Sequence, residues 1–394
     1  MFLLFIGETA LARIPGLSAA GSNVDALPYT APADADMLFY DRPKVAPTLP
    51  FDPFGHPSPA VVTRAALLEA GFPVQTVRVG TSIAPASPHV TISETPGRDM
   101  RFESAVRDYE EIAARSAELA RSLDGSVKQV VLAESVPGGT TTAMLVLRAL
   151  GYLGTVSSAG PENPLSLKEQ IWKETSARLG IEAGGMKGMG LRVPAEIGDP
   201  MQIAVAAYAA ALSEDVKITL AGGTQMMAVA AILRDMGFTR DILVATTKYV
   251  HIDPTSCLEE YAEKIGVRWY AAPLDFTYSR FPGLADYEKG FIKEGVGAGG
   301  AVWYAQQLGV SMERIQSKTE ELYEKMLNEV VADEATLETW IFDKQKAEVI
   351  FALHDGKEVG FALFFHNFST FLGRAGIYLE DLYVKPECRG KGYG

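Results

Sequence analysis

Two glutamates and a set of glycine- and threonine-rich loops are where this chain could do chemistry. Glu134 precedes Ser-Val-Pro-Gly-Gly-Thr-Thr-Thr142, and Glu294 opens Glu-Gly-Val-Gly-Ala-Gly-Gly300. Glycines let a backbone approach a ligand closely, and threonine hydroxyls with the first amides of a helix can hydrogen-bond an anion. Gly138, Gly139, Thr140 and Thr141 therefore suit a phosphate, as do Gly222, Gly223 and Thr224 within Ala221-Gly-Gly-Thr-Gln225. Neither loop is a P-loop, because the Gly-Lys-Ser/Thr ending is absent. The same residues also suit plain βα turns capped by threonine. Glu294, beside a backbone loosened by Gly295 and Gly297, can face a ligand cavity, where burial would raise its pKa toward that of a general base. It equally suits a solvated carboxylate at a helix N-terminus, which residue physics alone favours.

The remaining titratable candidates are less specific. His56 and His89 fall in predicted proline-containing loops and suit either a substrate contact or a turn cap. Lys168 and Lys248 are candidate phosphate contacts, and Asp275 and Asp286 suit solvated or helix-capping roles. The five histidines show no HxxxH or HxH spacing, and Cys257 and Cys388 form no CxxC. No metal site, no disulfide scaffold and a reducing cytoplasm are expected.

These residues need a scaffold, and the apolar runs supply one. Val127 to Ala133, Val216 to Leu220 and Ile242 to Ala245 each lead through a small-residue loop toward a helix. That alternation predicts parallel βαβ units, an α/β Rossmann-like sheet flanked by helices, with the loops at one edge. Met1 to Gly7 predicts a buried first strand, Pro73 to Val79 another, and residues 58–70 and 103–122 helices. Residues 15–59, rich in Pro, Ala and Asp, predict a long irregular surface stretch. With 36 Lys and Arg against 49 Asp and Glu, the net charge of −13 argues against nucleic acid and anionic lipid as partners. No apolar run is long enough for a membrane span.

The chain resembles CobT-related proteins through FLLFIGET, IPGLSAAG, PADADMLFYDRP, GHPSPAVVT, AESVPGGTTTA, SSAGPENPLSLKE, GDPMQIAV, LAGGTQMMAVAAIL, LVATTKYV and DYEKGFIKEGVGAGGA, in order over residues 2 to about 303. The characterised bacterial nicotinate-nucleotide phosphoribosyltransferases carry Gly-Glu-Met-Gly-Ile-Gly-Asn-Thr-Thr, similar to Ala133 through Thr141, and Gly-Glu-Gly-Ser-Gly-Ala, similar to Lys293 through Ala298. This chain departs from them at Ser135, Val136 and Pro137. The resemblance implies transfer of phosphoribose from nicotinate mononucleotide to a dimethylbenzimidazole-like base in cobalamin biosynthesis, with no cofactor required. It implies that Glu294 is the general base, that Glu134 stabilises ribosyl charge, and that the Gly138–Thr141 and Gly222–Thr224 stretches lie at the nucleotide. A homodimer is also carried over.

Residues 324–394 resemble a different family, the GNAT acetyltransferases of the diamine type, through GFALFFHNFSTFLGRAGIYLEDLYV and PECRGKGYG. Asp355-Gly356 signals a hairpin within this antiparallel, incomplete α+β fragment. The family's pyrophosphate loop would fall on Arg389, Gly390, Lys391, Gly392, Tyr393 and Gly394, making acetyl-CoA a candidate cofactor. The expected organisation is a phosphoribosyltransferase-like domain over 1–323 and a GNAT-like fragment over 324–394. Amine N-acetylation and non-catalytic nucleotide binding remain the alternative readings.

Overall fold

Phe2–Ile6 (β1) is apolar and buried at every position, as a strand covered on both faces must be. The computed structural model describes residues 1–18, 24–46, 49–52, 54–152, 154–328, 334–369 and 373–393. In it β1 lies between β2 (Val74–Val79) and β4 (Gln129–Ser135). With β3 (His89–Ser93), β5 (Lys217–Ala221), β6 (Ile242–Thr247) and β7 (Arg268–Ala272) it forms a parallel sheet ordered β3-β2-β1-β4-β5-β6-β7. The chain builds outward from β1 to β3, returns to β4, and builds outward the other way. The carboxyl ends of β1 and β4 therefore flank a crevice at the point where the winding reverses, the standard ligand position in such sheets.

The helices are α1 (Leu27–Met37), α2 (Ala60–Ala70), α3 (Tyr109–Arg121), α4 (Gly139–Ala149), α5 (Leu165–Leu179), α6 (Arg192–Ile197), α7 (Pro200–Ala211), α8 (Thr224–Asp235), α9 (Lys248–His251), α10 (Leu258–Ile265), α11 (Pro282–Ala285), α12 (Ala298–Gln307) and α13 (Met312–Asn328). Side chains alternate along β1 and so serve two cores. Leu3 and Phe5 join the core built with α3, α4, α7 and α8, while Phe2, Leu4 and Ile6 join the one built with α1, α2 and α12.

Helix α12 lies unusually close to the sheet. A β-carbon at Gly299 would stand 1.9 Å from the Thr246 carbonyl carbon, and one at Gly300 would stand 2.2 Å from the Ala221 β-carbon. Gly297, at φ +62°, turns the chain into the helix. The glycine run thus serves packing as well as any ligand.

Two expectations from the sequence are corrected at this level. Residues 15–59 are not irregular throughout, because α1 occupies 27–37. Pro28 fits its first turn, Pro32 lies inside it, and residues 31–37 are all buried, so no polar face gives the helix a period. His89 is not in a loop but opens β3, its Nδ1 2.8 Å from the Ser87 carbonyl oxygen.

The chain divides into two compact units at Met326/Leu327, so the boundary expected at 323/324 falls within α13. In the second unit α14 (Glu334–Glu338) precedes β8 (Glu348–His354), β9 (Lys357–Ser369) and β10 (Arg374–Val384), an antiparallel sheet ordered β10-β9-β8. Asp355 and Gly356, both at positive φ, form the expected tight turn. Ile350 and Phe351, neighbours on opposite faces of β8, are 59% and 60% exposed, so both faces of this sheet are open there. Arg389, Gly390, Lys391 and Gly392 are exposed and Tyr393 is half-buried; Gly394 lies outside the described residues. Among the described residues no helix is long and apolar enough to cross a membrane.

Replacing Gly299 with Ala forces a methyl group into the Thr246 backbone. The expected loss is about 3 kcal/mol, the upper end for overpacking, read as a lower urea midpoint with an unchanged m-value. A midpoint equal to wild type would contradict the close approach of α12.

Candidate active site

A cavity of about 850 Å³ opens at the carboxyl edge of the sheet. One side is rich in glycine and hydroxyl groups: Gly138, Gly139 and Thr140 after β4, Gly223 and Thr224 after β5, and Ser157 and Ser158. The other is apolar and aromatic, with Tyr29 from α1, Pro50, Phe51 and Phe54 from the following segment, and Phe291 and Val296. The first suits a phosphorylated sugar, whose oxygens accept from amides and hydroxyls. The second suits a flat ring.

Glu134 and Glu294 both line this cavity. Gly222 and Gly223 pass close to both: a β-carbon at Gly222 would lie 3.3 Å from Glu134 Oε1, and one at Gly223 would lie 3.8 Å from the Glu294 β-carbon. Burial raises the Glu134 carboxyl well above its ordinary range, and the nearby charges of Glu294, Asp199 and Asp34 add to the effect. Burial likewise pushes Glu294 up, to about 7, against donors that favour its ionised form. Those donors are the Thr246 hydroxyl, 3.0 Å from Oε2, and the Gly295 and Gly299 amides, 3.2 and 3.3 Å from Oε1. The next residue but one, Val296, sits at φ +54°, strained for a β-branched side chain, and its carbonyl accepts from Thr63 Oγ1 at 3.0 Å. Thr247, beside Thr246, donates to the Lys293 carbonyl. The third small-residue loop therefore positions Glu294.

The structure does not bring every candidate to the cavity wall. Gly295 lines it, but Gly297 lies behind, against Ala133 and Ala221. Gly222 and Thr141 are also set back, and Thr141 Oγ1 is buried without a partner. Gly138, at φ +80°, begins α4 where a β-carbon would meet the Ala12 backbone at 3.1 Å. Thr142 donates to Asp199 Oδ2 at 2.6 Å, and Asp199 also caps α7 by accepting from the Gln202 amide at 3.1 Å. Burial raises Asp199 to about 6.

Several wall residues were not singled out from the sequence. Asp34 on α1 accepts from Ser58 Oγ at 2.6 Å and Ser135 Oγ at 2.7 Å, and burial raises it to about 6. Gln225 presents a buried Oε1 without a partner. Lys293, a cation among the described lining residues, pairs with buried Asp253 at 2.6 Å. Asp253 is pushed up by burial but held below its ordinary value by Lys293 and Thr255.

The remaining candidates act from outside the lining. Lys168 is buried on α5, donating to Asn163 Oδ1 at 2.9 Å and the Ser157 carbonyl at 3.2 Å, so it braces the Ser157–Ser158 wall. Burial, then Lys293, lower its pKa to about 7. His56 bridges Asp52 at 2.7 Å and Asp286 at 3.1 Å and packs on Phe291, tying the aromatic segment to the chain that carries Glu294. Lys248 pairs with Glu288 at 2.8 Å, and its Nζ lies 3.7 Å from exposed Asp275. Among the described residues no group of three or more His, Cys, Asp or Glu is arranged to hold a metal ion.

Against known proteins, the UPF0284 protein of Pyrococcus furiosus is 48% identical over 330 residues, 83% of this chain and 99% of that protein. The chain belongs to the UPF0284 family. The member from Thermococcus kodakarensis is 45% identical over 83% of this chain and 98% of its own length. The UPF0284 fold is also similar to a nicotinate-nucleotide-dimethylbenzimidazole phosphoribosyltransferase from Thermus thermophilus, at TM-score 0.55 and 16% identity over 82% of each chain. A structure of CobT from the same organism gives TM-score 0.54 and 16% identity over 82% and 83%. The Acetyltransferase (GNAT) family model matches residues 312–394. The likeness to the CobT fold and to GNAT that the motifs implied is thus present, each over its own part of the UPF0284 chain.

The carboxyls with raised pKa make stability depend on pH in a definite direction. Glu294 takes up its proton near pH 7 when folded but near its ordinary 4.5 when unfolded, and Asp34 and Asp199 behave alike at about 6 against 3.8. The folded state therefore holds more protons across this window, so stability falls as pH rises from about 4 to about 7. Glu294→Gln removes one titration, and its urea midpoint should fall less than that of wild type between pH 5 and 8. An identical fall in both proteins would contradict the raised pKa of Glu294.

Proposed function

We propose that this chain transfers the phosphoribosyl group of nicotinate mononucleotide to a ring nitrogen of a benzimidazole-type base, giving nicotinate and an α-ribazole phosphate. The observation that carries this reading is Glu294, half-buried and with a raised pKa, at one cavity whose two sides suit a phosphorylated sugar and a flat ring. The name of the T. thermophilus enzyme that shares the fold supports it.

In this reading Gly138, Gly139, Thr140, Gly223, Thr224 and Lys293 hold the nucleotide. One ring nitrogen of the base bonds to ribose C1′ as the bond from C1′ to nicotinate breaks, and the nicotinate nitrogen keeps the electron pair. The proton on the other ring nitrogen of the base passes to Glu294. Glu134, whose ionisation is disfavoured by burial and by neighbouring carboxylates, stands at the ribose and in its ionised form stabilises the positive charge developing there. No cofactor enters this balance. The GNAT-like unit is assigned no acetyl transfer: β8 has both faces open, and Arg389 Nε is bound to the Val384 carbonyl at 3.0 Å.

Incubation with nicotinate mononucleotide and dimethylbenzimidazole, followed by mass spectrometry, should show nicotinate and α-ribazole phosphate in equal amounts. Glu294→Gln should lower kcat about 10²- to 10³-fold while nucleotide affinity changes little. Unchanged turnover would overturn the assignment of the base. Calorimetry with acetyl-CoA should give no micromolar binding, and such binding would return the C-terminal unit to consideration as an acetyltransferase.

A further inference from the structure

The apolar side of the cavity contains a polar feature that transfer to a dimethylated ring does not use. Asp34 is carried by α1, the helix that also supplies Tyr29, and it is 4% exposed. Each of its oxygens is taken by a different serine: Ser58 Oγ donates to Oδ1 at 2.6 Å and Ser135 Oγ to Oδ2 at 2.7 Å. All three residues line the cavity.

A serine hydroxyl has one hydrogen. With both hydrogens committed to Asp34, the two hydroxyls turn only lone pairs toward the cavity, and the carboxylate adds its own. Ser58 Oγ already accepts from the Ala60 amide at 3.2 Å, which leaves Ser135 as the freer acceptor. This patch consists of acceptors among apolar neighbours such as Ala33, Phe51, Pro59 and Val296. A methyl group placed there would leave buried acceptors unsatisfied, whereas an N–H or O–H donor would satisfy them.

Resting on the phosphoribosyl-transfer reading, we propose that Asp34, acting through Ser135 and Ser58, selects an acceptor base bearing an exocyclic hydrogen-bond donor, an amino or hydroxyl group, over one bearing only methyl groups. Asp34 is here a positioning residue that fixes the direction of both hydroxyls. Ribose hydroxyls share the same donor chemistry, but α1 and the segment around Phe51 place Asp34 on the ring side of the cavity.

The test compares 5-aminobenzimidazole with 5-methylbenzimidazole, which are nearly equal in size. Calorimetric binding to the nucleotide-loaded full chain is measured alongside kcat/KM. Wild type should prefer the amino compound by about tenfold to a hundredfold in both. In Asp34→Asn the new amide donates to one serine, which turns that hydroxyl's hydrogen toward the cavity, so the preference should fall to near unity. Ser135→Ala, a milder change, should reduce it partly and guards against a folding defect in the Asn variant. Equal or tighter binding of the methyl compound to wild type would overturn the proposal, as would a preference retained in both variants. If the ratio followed the nucleotide's ribose, with a 2′-deoxy donor losing affinity in wild type but not in Asp34→Asn, Asp34 would belong to the sugar and the proposal would fail. Absence of transfer with either base, with the amino preference in binding intact, would count against the reaction and support the selection.

Discussion

The contact between α12 and the sheet is the constraint on which the site depends. A helix can approach strands this closely only without β-carbons at the contact, and Gly299 and Gly300 meet the Thr246 backbone and Ala221 at distances no other residue tolerates. That approach buries the residues just before the helix. Glu294 is consequently drawn partly out of water and placed within reach of the Thr246 hydroxyl and the Gly299 amide. Its raised pKa is a product of the packing.

Three buried carboxyls, Glu134, Asp34 and Asp199, and the half-buried Glu294 gather at or near the cavity. Glu134 feels the charges of Glu294, Asp199 and Asp34, which add to burial in disfavouring its ionisation. The arrangement costs stability as pH rises, and in the proposed reaction a cationic ring in the cavity would make ionisation of these carboxyls favourable. The chain's overall charge is negative, and at the cavity wall the cation Lys293 is paired with Asp253.

Much of this was legible in the sequence because it depends on local pattern. The apolar run of β1, the small-residue turns after β4 and β5, and the glycine run after Glu294 each mark a strand, a close approach or a helix start within a few residues. What escaped depends on distant contacts. Helix α1 is buried along most of its length and carries an internal proline, so it shows neither an amphipathic period nor good propensity. Asp34 acquires its meaning from Ser58 and Ser135, which lie 24 and 101 residues away. The threonines after β6 lie in the third small-residue loop, and their contact with the 293–294 segment, 46 and 48 residues on, is visible only in three dimensions. Thr141 and Gly297 carried the right residue types, but helix rotation and packing turn them away from the cavity wall.

The claim that joins fold to function is that a half-buried Glu294 with a pKa near neutrality accepts the proton of the attacking base. The pH dependence of kcat/KM for the acceptor tests it most directly, because that profile reports the ionisation of free groups before the chemical step. The account predicts a rise with pH that levels off above about 7, and loss of that limb in Glu294→Gln at whatever residual rate remains. A flat profile in wild type, or the same limb in the Gln variant, would contradict it.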